Sequence, residues 1–204
     1  MALTYSTMMK LGTGAPDFIL SDVVSGNKYS LADFKDKKAL LVMFICSHCP
    51  YVKHIEKEIS KLGNDYRGED VGVVAISAND PDYDSSDRPE GLKEQAKSAG
   101  FNFPYLFDET QEVAKKYTAA CTPDFFLFAK ANNLEQSREA DSKFILVYRG
   151  QLDDSRPENG KPVTGKDLRE ALDAVLSKKS VTSDQRPSAG CNIKWKYGNE
   201  PDYK

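Results

Sequence analysis

The sequence predicts an α/β protein in which helices cover both faces of a mixed central sheet. Unbroken apolar runs alternate along the chain with segments whose apolar residues recur every three or four positions, which is typical of strands alternating with helices. Two late apolar runs, 124–129 and 144–150, are expected to pair antiparallel, so the sheet is not wholly parallel. A length of 204 residues, 40% of them hydrophobic, fits one core with additions.

The first elements are expected to be a hairpin, a buried strand and a helix. Residues 15–31 alternate apolar and polar side chains around a Ser-Gly-Asn turn, which is typical of a short strand pair placed before the main fold. Residues 39–45 are continuously apolar, as in a strand that is buried on both faces. Beyond Pro50 the apolar spacing becomes helical. The residues of this stripe are Cys49, Val52, Ile55, Ile59 and Leu62.

The middle of the chain predicts another strand at 71–77 and then a polar, turn-rich surface loop at 79–91. Within that loop, Asp87 followed three residues later by Glu90 is typical of a helix N-cap, and Gly100 is typical of the end of that helix. The loop follows a strand at its carboxyl end, so it is expected to help shape a site.

The remaining elements complete the alternation. A short strand at 103–108 leads into a helix that opens at Asp108, and the two apolar runs named above follow. Thr164 with Asp167 is expected to cap a last helix. We therefore expect one domain over residues 1–180 and a C-terminal tail over 181–204.

The composition excludes several classes of function. A net charge of -3 with interspersed signs gives no basic surface for nucleic acid or for an anionic membrane. The first dozen residues lack the apolar centre of a signal peptide, and no later run has the length of a membrane span, so we expect a soluble, cytoplasmic protein. In the tail, Ile193 and Trp195 are expected to dock on the domain. The sequence makes no prediction of oligomeric state.

The predicted chemistry lies where the strand 39–45 meets the helix, in the motif Cys46-Ser47-His48-Cys49. A cysteine in the first turn of a helix is close to unsatisfied N–H groups and to the positive end of the helix dipole, so Cys46 is predicted to be acidified. Cys49 is placed to attack a mixed disulfide on Cys46. A protonated His48 would add positive charge, and Pro50 stiffens the first turn. These residues predict thiol–disulfide exchange without a metal or a cofactor.

Three other uses of the cysteines stay open as alternatives. A zinc site usually needs a second ligand pair at short spacing, whereas Cys121 and Cys191 are single and far apart in the sequence. A soft metal such as copper has possible ligands in Cys46 and Cys49, together with Cys121 or His48. An acidic, accessible thiol also reacts with peroxide, so a peroxiredoxin-like thiol peroxidase is the remaining alternative.

Two motifs resemble the thioredoxin superfamily: "FICSHCPYV" after the buried strand and "ACTPDFFLF" about 75 residues later. The segment "GTGAPDFILSDVVSGNKYSLADFKDKKALLVMF" is similar to the alkyl hydroperoxide reductase/thiol-specific antioxidant (AhpC/TSA) branch, with its ResA-like and TlpA-like thioredoxins. The resemblance covers roughly residues 11–178. It implies a thioredoxin-like fold with an N-terminal β-hairpin extension, and a protein-disulfide oxidoreductase that acts on protein or small-molecule thiols and disulfides.

The resemblance also implies that Thr122-Pro123 is a cis peptide facing the dithiol. Such a bond holds a tight turn and would leave the backbone edge of Thr122 free to pair with an extended substrate. Cys121 would then lie near the dithiol, either as a third redox thiol or as a small buried residue.

The chain departs from the resembled families at several positions. The Trp that precedes the first cysteine of thioredoxin is Ile45 here, and its buried acid is replaced by Leu40. His48 is similar to the last residue between the cysteines of disulfide isomerases. The peroxiredoxin pattern requires Thr or Ser three residues before the reactive cysteine, where Cys46 has Met43. Dithiol exchange is therefore favoured over peroxide reduction.

Overall fold

A computed structural model describes residues 3–130 and 144–203. In these residues the chain forms two sheets and four α-helices. The strands are β1 (Leu3–Tyr5), β2 (Ile19–Asp22), β3 (Lys28–Ser30), β4 (Ala39–Phe44), β5 (Val71–Ser77), β6 (Tyr105–Phe107), β7 (Cys121–Thr122), β8 (Asp124–Lys130), β9 (Phe144–Gly150) and β10 (Ala189–Asn192). The helices are α1 (Pro50–Asp65), α2 (Pro89–Ala99), α3 (Glu112–Lys116) and α4 (Lys166–Leu176).

The larger sheet has seven strands in the order β3-β2-β6-β5-β4-β8-β9. Strands β4, β5 and β6 are parallel to one another. On one side β8 pairs antiparallel with β4, and β9 pairs antiparallel with β8. On the other side β2 pairs antiparallel with β6, and β3 pairs antiparallel with β2. The mixed sheet predicted from the sequence is confirmed. Its central strand β4 is buried at all six residues, which explains its continuous apolar run.

Helices cover both faces of this sheet, as predicted. Because successive strand residues point to opposite faces, Leu41 and Met43 pack against α1, α2 and α4, while Leu40 and Val42 face α3 and the N-terminal segment. Among the helices of the described residues, none combines the length and the apolar character that a bilayer crossing requires.

The predicted N-terminal hairpin consists of β2 and β3, and it joins the main sheet instead of standing apart from it. Asp22 of β2 pairs with Leu106 of β6, so the hairpin extends the sheet at one edge. The prediction that Asp87 caps α2 is wrong, because the helix begins at Pro89 with Arg88 as its N-cap. Asp87 ends a short 3-10 turn, and its carboxylate bonds elsewhere.

A second, three-stranded antiparallel sheet has the order β1-β10-β7. Strand β10, near the C-terminus, lies between β1, near the N-terminus, and β7, which precedes β8 of the main sheet. Ile193, just beyond β10, is buried beside α3, and Trp195 packs against the same cluster. The C-terminal segment therefore lies at the end of the main sheet where Cys46 follows β4.

Candidate active site

The two cysteines of the motif are positioned by different elements. Strand β4 ends at Phe44, the Ile45 N–H donates to the Ile76 carbonyl at 3.1 Å, and Cys46 follows at the carboxyl end of the strand. Cys49 is the N-cap of α1, and Pro50 occupies the first helical position, where a missing N–H leaves no hydrogen bond unmade. The helix therefore begins at Pro50 with Cys49 as its N-cap, and Cys46 lies before it.

A cis Thr122-Pro123 peptide joins β7 to β8 and faces both sulfurs, as the resemblance implied. The Thr122 hydroxyl lies 3.2 Å from Cys46 Sγ, and Cys49 Sγ lies at the same distance from the Thr122 carbonyl oxygen. The structure thus brings together two predicted motifs that lie more than seventy residues apart in the sequence.

A third sulfur lies in the same cluster. Strand β10 pairs antiparallel with β7 so that Cys191 stands opposite Thr122, and Cys191 Sγ lies 2.8 Å from Cys49 Sγ. The expectation that the edge of Thr122 is free for a substrate is therefore wrong, because the chain's own C-terminal strand occupies it. The sequence placed Cys191 in the tail but gave no signal that it would meet the dithiol.

All four cysteines lie in the described residues, and none forms a disulfide. Cys46 and Cys49 are fully buried, and Cys191 is 2% exposed. Solvent and substrates therefore do not reach these sulfurs in this conformation.

The prediction of an acidified Cys46 is also wrong. Burial, followed by the hydrogen bond with Cys49, raises the pKa of Cys46 well above its ordinary value. The pKa of Cys49 is lowered, because the thiols of Cys191 and Cys46 donate to its sulfur and the Val52 N–H at the helix start adds to their effect. The same hydrogen bond to Cys49, followed by burial, raises the pKa of Cys191. The first proton lost from the cluster is thus that of its central sulfur.

A buried carboxylate holds the loop between the cysteines. Asp87 is fully buried and accepts hydrogen bonds from the Ser47 N–H at 2.8 Å, the His48 N–H at 3.3 Å and the Asn79 side-chain amide at 2.7 Å. Its other contact is with His48 Nδ1 at 2.6 Å, and this hydrogen bond raises the pKa of His48. Asp87, which the sequence predicted to be a helix N-cap, therefore stabilises the dithiol loop instead.

Cys121 lies beside the cluster but makes a different contact. Its thiol faces the Pro123 carbonyl at 3.7 Å, it is fully buried, and burial raises the pKa of the thiol. These observations favour the interpretation of Cys121 as a small buried residue over that of a redox thiol.

The chain supplies a buried acid at a position that sequence reasoning missed. Asp124 directly follows the cis-proline and pairs with Phe44 across β8 and β4. It is fully buried, burial raises its pKa well above the ordinary value, and its Oδ2 has no hydrogen-bond partner within the described residues. The available signal was an Asp at the head of the apolar run "DFFLFA".

One group of side chains in the described residues has metal-ligand spacing. Donor atoms of Cys46, His48 and Asp87 lie within 4.8 Å of one another. Both oxygens of Asp87 already accept hydrogen bonds from Ser47, His48 and Asn79, so this carboxylate is engaged in holding the loop. The donor set therefore fits a metal poorly.

Comparison with known proteins gives the chain a context. The model of the family described as "AhpC/TSA family" matches residues 11–137. Thiol-disulfide oxidoreductase ResA of Geobacillus kaustophilus (strain HTA426) is 25% identical over 133 residues, which are 65% of this chain and 71% of that protein.

Solved structures show the fold directly. The crystal structure of an uncharacterized conserved protein from Geobacillus kaustophilus has a TM-score of 0.87 and 50% identity, and the alignment covers 96% of this chain and 97% of that one. The thioredoxin domain of a thiol-disulfide oxidoreductase from Bacteroides vulgatus has a TM-score of 0.59 and 20% identity, covering 82% of this chain and 99% of that one. The fold is thioredoxin-like, as the resemblance implied.

Proposed function

Since the chain belongs to the AhpC/TSA family, we propose that it is a thiol–disulfide oxidoreductase whose redox couple is the dithiol of Cys46 and Cys49. The observation that carries this proposal is the contact of both sulfurs with Thr122 of the cis peptide, at 3.2 Å each. The likeness to ResA supports the same chemistry. The exchange uses no cofactor, and the cytoplasmic location stays a prediction.

The ionisation of the cluster suggests how exchange begins. The pKa of Cys49 is lowered and that of Cys46 is raised, so a Cys49 thiolate can take the proton of Cys46 as Cys46 Sγ attacks a substrate disulfide. One substrate sulfur then becomes bonded to Cys46 and the other leaves as a thiolate, which accepts the proton held by Cys49. Cys49 next attacks Cys46 Sγ, and the products are the Cys46–Cys49 disulfide and a substrate with both thiols reduced.

A trapping experiment tests these roles. In a Cys49→Ser variant the mixed disulfide on Cys46 cannot be resolved, so we expect a disulfide-containing peptide to stay bound to Cys46 in non-reducing mass spectrometry. A Cys46→Ser variant should reduce the peptide far more slowly than the unaltered protein. The matched control is Cys121→Ser, which removes another buried thiol and should leave the rate near that of the unaltered protein. Full activity in Cys46→Ser would contradict the proposal.

Peroxide reduction is the second candidate function, because the Thr122 hydroxyl lies 3.2 Å from Cys46 Sγ, as a hydroxyl does beside a peroxidatic thiol. Peroxide reduction and dithiol exchange differ in the first product formed on Cys46. A peroxidase would form sulfenic acid on Cys46 faster with hydrogen peroxide than it reduces a peptide disulfide, whereas dithiol exchange gives the opposite order of rates.

A further inference from the structure

The C-terminal strand lies against the cis peptide more closely than a side chain would allow. A Cβ atom added at Gly190 would lie 2.0 Å from the Thr122 carbonyl oxygen and 3.1 Å from Pro123 Cδ. Glycine at this position therefore lets β10 run over the edge to which an extended substrate would bind, with Cys191 as its next residue.

The position of β10 is fixed from several sides. Ser6 and Ser188 exchange two hydrogen bonds of 3.0 Å, which tie the tail to β1, and the Ser188 hydroxyl donates to the Gly150 carbonyl at 2.6 Å. Beyond β10, the Lys194 N–H donates at 2.9 Å to Asn79, which also binds Asp87 of the dithiol loop. The tail and the redox loop thus share one hydrogen-bond network.

This placement arranges three sulfurs around a shared centre. Cys49 Sγ lies 2.8 Å from Cys191 Sγ, and Thr122 contacts the sulfurs of Cys46 and Cys49 at 3.2 Å each, so all three sulfurs lie at the cis peptide. A disulfide has a sulfur–sulfur length of about 2.05 Å, so a bond between Cys49 and Cys191 needs a sulfur movement of under about 1 Å. Either neighbour of Cys49 can therefore be its disulfide partner.

We propose that Cys191 is a third redox cysteine, and that the disulfide moves between Cys46–Cys49 and Cys49–Cys191. The inference rests on the proposed exchange function, which supplies the two-electron oxidation from a substrate disulfide. Cys191 Sγ attacks Cys49 Sγ as it loses its proton, the Cys49–Cys191 bond forms, and the Cys46–Cys49 bond breaks with Cys46 leaving as the thiolate. The proton of Cys191 passes to Cys46, so the step involves no net oxidation.

The transfer has a consequence for the site. It returns Cys46 to the reduced state while a covalent bond holds β10 over the cis-proline edge. Strand β10 then occupies the position of an extended substrate and is bonded through Cys191 to Cys49. The edge of Thr122 is therefore closed to other extended chains.

The full chain carrying Cys46→Ser tests the proposal, with oxidised glutathione as the disulfide reagent. Cys49 should form a mixed disulfide with glutathione, and Cys191 should displace the glutathione, so that two thiols are lost and mass spectrometry finds a peptide linking Cys49 to Cys191. The unaltered protein, titrated in a glutathione redox buffer and quenched in acid, should contain both disulfides. A Cys121→Ser control should give the same linked peptides.

The same measurements separate the redox role of Cys191 from the exchange function of Cys46 and Cys49. If the unaltered protein reduces a peptide disulfide and forms Cys46–Cys49, but neither it nor Cys46→Ser ever links Cys49 to Cys191, the third redox role is overturned and the exchange function stands. If neither disulfide forms and no exchange occurs, the proposed function is overturned as well.

Discussion

Replacing Gly190 with alanine is expected to separate β10 from β7 and to open the sulfur cluster. The added Cβ would lie 2.0 Å from the Thr122 carbonyl oxygen and 2.7 Å from its carbon, and real Cβ atoms essentially never approach other atoms within 3.0 Å. Both obstacles are backbone atoms, so neither can rotate away. The strand must therefore retreat by about 1 Å, which lengthens the 2.8 Å contact between Cys49 and Cys191 to about 3.8 Å and weakens it.

The size of the effect follows from the cost of overpacking. Inserting a methyl group into a well-packed site costs roughly 1–3 kcal/mol, which lowers the melting temperature of a chain of this length by about 2–4 °C for each kcal/mol. If the closed arrangement is destabilised by about 1–2 kcal/mol relative to the open one, the population of open molecules rises by a factor of about 5–30. The labelling rate of Cys46 by a thiol reagent should rise by the same factor, because Cys46 is fully buried in the closed arrangement.

The matched control is Gly68→Ala, because a Cβ at Gly68 would meet nothing within 4 Å. This variant should label and melt like the unaltered protein. The reasoning is refuted if Gly190→Ala, folded by circular dichroism and studied well below its melting temperature, labels Cys46 no faster than Gly68→Ala does.

Two further predictions concern buried carboxyl groups. In Asp87→Asn the partner of His48 is lost, and breaking a buried pair costs roughly 3–5 kcal/mol. Because Asp87 raises the pKa of His48, their pairing contributes fully below pH 6.5 and fades as pH rises through the folded-state pKa, so urea unfolding should show a larger loss at pH 6 than at pH 9. The exposed control Asp82→Asn should lose under about 1 kcal/mol, and an equal loss would contradict the role of Asp87. Asp124→Asn should stabilise the protein more at pH 7 than near pH 3, as measured by urea unfolding. Burial raises the pKa of Asp124 above its ordinary value of 3.8, so the buried carboxyl lowers stability as pH rises through that value; an equal effect of the substitution at both pH values would exclude this.

The sequence was sufficient for the elements whose signals are local. Strand β4 was predicted because all six of its residues are buried and apolar, and α1 because its buried residues recur at helical spacing. The antiparallel pairing of β8 with β9 followed from two neighbouring apolar runs. In each case the residues that are buried to stabilise the element appear in the sequence as a run, or a regular spacing, of apolar residues.

The small sheet was not predictable in the same way. Strand β7 has two residues and β1 has three, so neither is long enough to show an alternating pattern. Both strands pair with β10, and the pairing of Leu3 with Cys191 joins residues at opposite ends of the chain. The proximity of Cys191 to Cys49 follows from this pairing and therefore could not be inferred from spacing. Asp87 was misassigned because a carboxylate before a helix can serve either the helix or, as here, the N–H groups of another loop.

The ionisation of the cluster shows how a correct physical rule was applied to the wrong atom. Hydrogen bonds from Cys191 and Cys46 are the largest causes of the lowered pKa of Cys49, and the Val52 N–H adds to them because Cys49, not Cys46, is the N-cap of α1. Cys46 is fully buried, and that burial raises its pKa. Removing β10 would take away the Cys191 donor from Cys49, which brings the pKa of Cys49 closer to that of Cys46. Opening of the C-terminal strand would therefore both free the edge of Thr122 for a substrate and change the ionisation of Cys49, which couples access to reactivity.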